Sequence, residues 1–117
     1  MTTDIGFSDV IDTIYDKYNY IAIGIGATPV TATDITLESE TNREIVTKNK
    51  STTTRTNDTI TMYSFFAFYL GATINEIGLF SADSVGDMFL RIVEPVVVQD
   101  GYQMRTTIKI ILSDIND

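Results

Sequence analysis

The sequence predicts a mainly β protein, an antiparallel β-sandwich with one N-terminal amphipathic helix and a short second helical turn. Three observations carry this reading. Six or seven short segments rich in Val, Ile, Thr, Tyr and Phe are separated by Gly, Pro, Asn and Asp. Several of these segments alternate apolar and polar residues, as half-buried strands do. One stretch near the start repeats its apolar residues every three or four positions instead. With 117 residues and no internal repeat, the chain reads as one domain spanning 1–117.

The helix comes first. Phe7, Val10, Ile11, Ile14, Tyr15 and Tyr18 fall on one face of about three turns, with Asp4 or Ser8 as cap and Asn19 as stop. Tyr20 to Ile25 reads as a short strand, interrupted by Gly24 and Gly26. Two glycines here raise the question of a phosphate loop. No third Gly and no Gly-Lys-Ser/Thr follows, so tight turning or close backbone packing is the better reading. Thr28 to Thr31, with Pro29, is a turn. Leu37, Glu40 and Arg43 are spaced by three, which predicts the second helical turn.

From Glu44 to Thr54 the chain reads as a polar strand, and Asn57-Asp58 as a turn. The stretch from Lys48 to Asn57 is almost free of apolar residues. It is expected to form a protruding hairpin, around 44–60, that needs a neighbour to order it. Thr59 to Leu70 is the strongest strand. Ile60, Met62, Phe66, Phe68 and Leu70 share one face, and Tyr63, Phe65, Ala67 and Tyr69 the other. Both faces are apolar, so both are expected to be covered, the second by the helix or by another subunit. Tyr63, Phe65 and Tyr69 are therefore the candidate subunit interface. Ile74 to Ser81 and Met88 to Val93 follow as strands, with a turn at 82–87 between them and a stop at Glu94-Pro95. Val96 to Val98 is a further short strand, and Gln99-Asp100-Gly101 turns the chain again. Tyr102, Met104, Thr106, Ile108, Ile110 and Leu112 then alternate cleanly with polar neighbours in a last strand.

Composition excludes more than it names. Hydrophobic residues make up 44% and charged residues 21% of the chain, as in ordinary globular proteins. A net charge of -8 argues against a nucleic-acid groove and against adhesion to anionic membranes. There is no Cys and no His, which removes disulfides, thiolate chemistry and the commonest metal ligand and general base. No apolar run reaches the roughly 18 residues of a membrane span. The N-terminus has no basic or apolar leader, so synthesis in the cytoplasm without export by that route is expected. Asp83 and Asp87 flank a turn that could hold a hard cation, but the ligand set of a calcium loop is missing and a plain turn is the better reading. Glu38, Glu40 and Glu44 read as a solvated acidic face. No cofactor, metal or catalytic residue is assigned, and no enzyme activity is expected.

The most informative segment is Ile74-Asn75-Glu76-Ile77-Gly78-Leu79-Phe80-Ser81, a short apolar strand with one carboxylate set into it. A buried Glu needs a partner, because desolvating its charge costs several kcal/mol or more. Arg43 is the candidate, and an Arg43–Glu76 structural ion pair is expected.

Three motifs occur in order: Ala22-Ile23-Gly24-Ile25-Gly26, Leu37-Glu38-Ser39-Glu40-Thr41-Asn42-Arg43 and Glu76-Ile77-Gly78-Leu79-Phe80. Over residues 5–112 their order resembles the tail-collar fibre group of tailed viruses. Ser81 stands where that family usually has Asp. The resemblance implies a structural role in a virus particle, as a neck, collar, tail or fibre-attachment component. It implies partnership with copies of itself and with other virion proteins, and a location in the virion. With an end just after the last strand, the chain would be a complete small virion protein or an adaptor. The alternative is a carbohydrate- or host-receptor-binding module that uses exposed Tyr rings.

Overall fold

The computed structural model describes residues 3–68 and 70–113. Helix α1 (Asp4–Lys17) precedes seven strands: β1 (Tyr20–Gly24), β2 (Glu40–Ile45), β3 (Thr47–Ser51), β4 (Thr59–Ala67), β5 (Ala72–Phe80), β6 (Met88–Val98) and β7 (Gln103–Ile111). They form two antiparallel sheets, ordered β2-β1-β5-β6 and β3-β4-β7, packed in a sandwich-like arrangement. The mainly β fold read from the sequence is the fold observed.

Alternation builds the core. Ile21, Ile23, Ile74 and Leu79 point inward from the four-stranded sheet, and Ile60, Met62, Phe66 and Ile108 from the three-stranded one. Phe7 and Ile11 of α1 complete the cluster. Thr3 caps the helix, its hydroxyl accepting from Gly6 N–H at 3.2 Å, where the sequence had pointed to Asp4 or Ser8. Asp4 lies in the first turn instead, where its charge suits the positive end of the helix dipole. Val10 of the expected apolar stripe is exposed.

Three expected boundaries move, each for a physical reason. Residues 40–43 form a strand rather than a helical turn. Glu40 and Arg43 still meet, because the pairing of β1 with β2 slips between Ile23 and Gly24 and leaves Thr41 without an opposite residue. Such a bulge turns positions three apart onto one side. Strand β6 runs straight through Pro95. It is an edge strand whose register with β5 is interrupted between Ile74 and Glu76, so the missing N–H leaves no ladder bond broken. Strand β4 ends at Ala67, short of Leu70, which is exposed.

The polar segment after Val46 does form a hairpin, β3–β4, but it does not protrude. Strand β3 pairs with β4, and its inward side chains bind α1. The Lys48 ammonium donates to the Tyr15 carbonyl and to Asn19 Oδ1, and Lys50 forms an ion pair with Asp12. Arg55 reaches Asp4 at 2.7 Å and lies over the Phe7 ring. The loop before β4 closes around Asp58, a fully buried side chain. Its carboxylate accepts the N–H groups of Thr53 (2.7 Å), Thr54 (2.8 Å) and Arg55 (2.9 Å), and the Thr59 hydroxyl (2.9 Å). Asn57 supports the turn with a positive φ of 53°, a conformation Asn tolerates. Polar contacts to backbone and helix thus order a segment that has no apolar core of its own.

These N–H bonds, the one from Arg55 foremost, hold the Asp58 carboxyl well below the usual carboxylate range. A depressed native pKa contributes stability above the unfolded value, and that stability is lost as pH falls through the native one. Asp58→Ala should therefore lower the melting temperature clearly at pH 7, with Asp58→Asn intermediate. As pH falls the wild type should approach Asp58→Asn, the neutral isostere, while Asp58→Ala stays below both. Thermal unfolding followed by circular dichroism from pH 2 to pH 7 checks this.

Candidate functional site

Glu76 lies on the outer face of the four-stranded sheet, opposite Gly24 of β1, with its side chain fully buried. Residues 25–39 fold over that face and bury it. Oε2 accepts the N–H groups of Gly26 and Ser39, both at 2.8 Å. Oε1 accepts Glu38 N–H at 2.8 Å and Arg91 Nε at 2.9 Å. Arg91 extends the network to the Thr28 carbonyl (3.1 Å), the Thr28 hydroxyl (3.3 Å) and Asp34 Oδ2 (3.2 Å). One carboxylate and one guanidinium thereby tie three points of the loop to β5 and β6.

The expected Arg43–Glu76 pair is not formed; the cation of Glu76 is Arg91. Register explains the choice. Arg91 stands opposite Gly78 on the neighbouring strand β6, two residues along from Glu76 and on the same face. Arg43 is on β2, with β1 between it and β5. Its guanidinium instead pairs with Glu40 at 2.6 Å, donates to the carbonyls of Ala82 and Val85 at 2.8 Å, and stacks 3.8 Å above the Phe80 ring. Arg43 thus clamps the β5–β6 turn. Arg91 carried the same sequence signal as Glu76, a lone charge in an apolar strand, and was missed.

Burial pushes the Glu76 pKa up. The N–H of Ser39, Arg91 and the N–H groups of Glu38 and Gly26 outweigh it, and the group is held below its ordinary value. Arg91 is pushed down by burial and raised overall by Glu76 and Asp34. Asp34 is lowered chiefly by the backbone N–H of Thr31, then by the Thr31 hydroxyl and Arg91. All three groups are charged and fixed.

The three motifs meet here. A side chain at Gly26 would place its Cβ 2.5 Å from Glu76 Oε2 and 2.4 Å from Glu38 Cβ. At Gly78 it would lie 2.7 Å from the Phe80 ring and 2.9 Å from Leu37. Leu37, Ala22 and Phe80 form a second small core under the loop, flanked by Tyr20 and Met88.

The candidate interface lies elsewhere, on the outer face of the three-stranded sheet. Tyr63 is half-buried and Phe65 is 47% exposed. Their rings meet edge to face at 5.7 Å, and the Arg105 guanidinium covers Tyr63 at 4.2 Å. Tyr69 falls outside the described residues. Arg105 was not singled out in the sequence, although its alternation in β7 places it on this face. The outer face of β4 is thus partly open in the single chain; of the two covers expected, α1 packs instead against the inward side of this sheet. At the β5–β6 turn Asp87 pairs with Lys17 at 3.0 Å. Among the described residues no group of three or more acidic side chains could hold a metal ion, and no helix is long and apolar enough to cross a membrane.

Comparison with protein-family models and with characterised proteins gave no match to this chain.

Removing one member of a buried, hydrogen-bonded ion pair costs about 3–5 kcal/mol. Arg91→Met and Glu76→Gln should each approach that loss in denaturant unfolding, whereas Arg43→Met should leave the Glu76 network intact. The Glu76→Leu/Arg91→Met double variant should stay destabilised, because three loop N–H groups still lack an acceptor. Gly26→Ala should free the loop in the same way, seen as faster amide exchange across residues 26–39. Glu76 stabilises above its unfolded pKa of about 4.3. That contribution is lost as pH falls through the lower native value, so Glu76→Gln should flatten the acid limb of the stability curve.

Proposed function

We propose that this chain is a structural protein of a tailed virus particle, in its neck, collar, tail or fibre attachment, and that it is not an enzyme. It assembles there with copies of itself and with other virion proteins. The observation that carries the reading is the meeting of the three family-like motifs around Glu76, where they make one structural unit. Three motifs that build a single knot are a stronger likeness than three unrelated short matches. A scaffold role also fits the ionisable groups. The buried ones, Asp58, Glu76 and Arg91, are saturated by backbone and by one another, which leaves them no reactive lone pair or proton to offer a substrate.

The half-open aromatic face supports contact with protein more than with sugar. A sugar stacks on a free ring face, whereas Arg105 already lies over Tyr63 and the Tyr63 and Phe65 rings meet edge to face. Aromatic and Arg side chains grouped in this way are enriched where proteins meet.

Mass spectrometry of purified particles should find this chain in multiple copies, and a particle reconstruction should place it at the neck, collar or tail. Absence from particles, together with binding to host glycans by the isolated chain, would favour the receptor-binding module instead.

A further inference from the structure

Of the eight Lys and Arg residues, five form ion pairs within the chain: Lys17, Arg43, Lys50, Arg55 and Arg91. Lys48 is engaged by a carbonyl and by Asn19. Arg105 and Lys109 remain, with no carboxylate partner among the described residues. Both project from the outer face of the β3-β4-β7 sheet. That face presents Thr47, Asn49, Thr61, Tyr63, Phe65, Ala67, Thr107 and Ile111 beside them, and no Asp or Glu. Among the described residues, this sheet face carries no Asp or Glu and holds the two cations that lack a carboxylate partner.

The complementary surface is on α1. Ile5, Asp9, Asp12 and Asp16 are spaced by four, three and four, so they form one helical stripe, and all are exposed. Asp12 answers Lys50, and Asp16 lies within electrostatic reach of Lys48 and Lys50 without a direct ion pair; Asp9 has no cation partner within the described residues. Asp9 and Asp16 lie about 10 Å apart along the axis at 1.5 Å per residue. Arg105 and Lys109 lie about 14 Å apart at 3.4 Å per residue. Flexible Arg and Lys stems span that difference. The two surfaces cannot meet within one molecule: α1 binds the inward side chains of β3, Lys48 and Lys50, and the cations project from the opposite side of the same sheet.

We infer that copies of this chain join head to tail, the acidic stripe of α1 in one copy docking on the Tyr63–Phe65–Arg105–Lys109 face of the next. Two-fold pairing of the sheet face with itself is disfavoured, because it sets cations against cations with no carboxylate between them. A head-to-tail contact repeats, and closes into a ring when its rotation permits. This deepens the proposed self-assembly and rests on it.

The test uses the full purified chain at low and high salt. Wild type should associate at about 50 mM salt and weaken at about 500 mM, where charges are screened within about 4–5 Å. Arg105→Glu/Lys109→Glu and, separately, Asp9→Lys/Asp16→Lys should each weaken association by about tenfold or more, by placing like charges in contact. A chain with both swaps should associate again. Zero-length carbodiimide coupling of wild type should join Lys109 of one copy to Asp9 or Asp16 of another, a readout that does not depend on any variant folding. A wild type that stays monomeric at low salt overturns the inference. So does association untouched by the sheet swap or by the helix swap, failure of the double swap to restore it in a folded chain, or coupling of Lys109 to other carboxylates alone. None of these results removes the chain from particles, so the virion role fails or stands on its own test.

Discussion

The structure turns on a carboxylate that would be costly to bury alone. Glu76 sits in a strand whose other side faces the main core, and each of its oxygens accepts two donors. A carboxylate held this way has most of its lone pairs filled. The charge then does what apolar burial does not do here: it orders residues 25–39, which contribute only Leu37 to a core. Backbone ordering costs about 1–2 kcal/mol per residue. Fixed N–H bonds to an ionised group are among the stronger contacts that can offset it. Arg91 adds Thr28 and Asp34 to the same network, so one point on β5 anchors the loop at its start, middle and end.

Seen around Glu76, the three motifs are parts of one device. The glycines leave room for the carboxylate and for Leu37, Glu38 and Ser39 supply N–H donors, and the Phe80 ring carries the Arg43 guanidinium. The motifs therefore specify a way of closing a long loop on a sheet. They do not specify what the outer surface binds, since none of their residues lies on the β3-β4-β7 sheet. This is why a likeness in these residues carries fold further than it carries partners.

Periodicity made most of the elements legible. The alternation in β4 and β7 gave their inward residues correctly, with Ile60, Met62, Phe66 and Ile108 buried, and the stripe in α1 gave Phe7 and Ile11. The need of Glu76 for a cation was legible too, but its identity was not. Composition shows that a charge must be answered; only strand register shows which residue faces it, and here Gly78 stands opposite Arg91. The bulge at Thr41 and the passage of β6 through Pro95 were hidden for the same reason, since both depend on how neighbouring strands align. The polar stretch after Val46 was misread by equating few apolar residues with projection. Asp58 orders that loop through backbone groups, which composition does not weigh.

The two sheets end up with different roles. Around Glu76 the four-stranded sheet has its outer face covered by the loop and its charges paired, so that part presents a fixed surface, while Val97 farther along β6 stays exposed. The three-stranded sheet has no such cover. An exposed Phe alone would call for no explanation, since much of any protein surface is apolar. Phe65 is not alone: it stands with Tyr63 and Arg105 on a face without carboxylates among the described residues, in a strongly acidic molecule. Solvation alone would scatter the acidic residues over every surface. Their exclusion from this one face, while the exposed stripe of α1 is rich in them, gives the molecule two unlike sides. In the inferred head-to-tail contact, the acidic stripe of a second copy would supply the carboxylates that this face lacks.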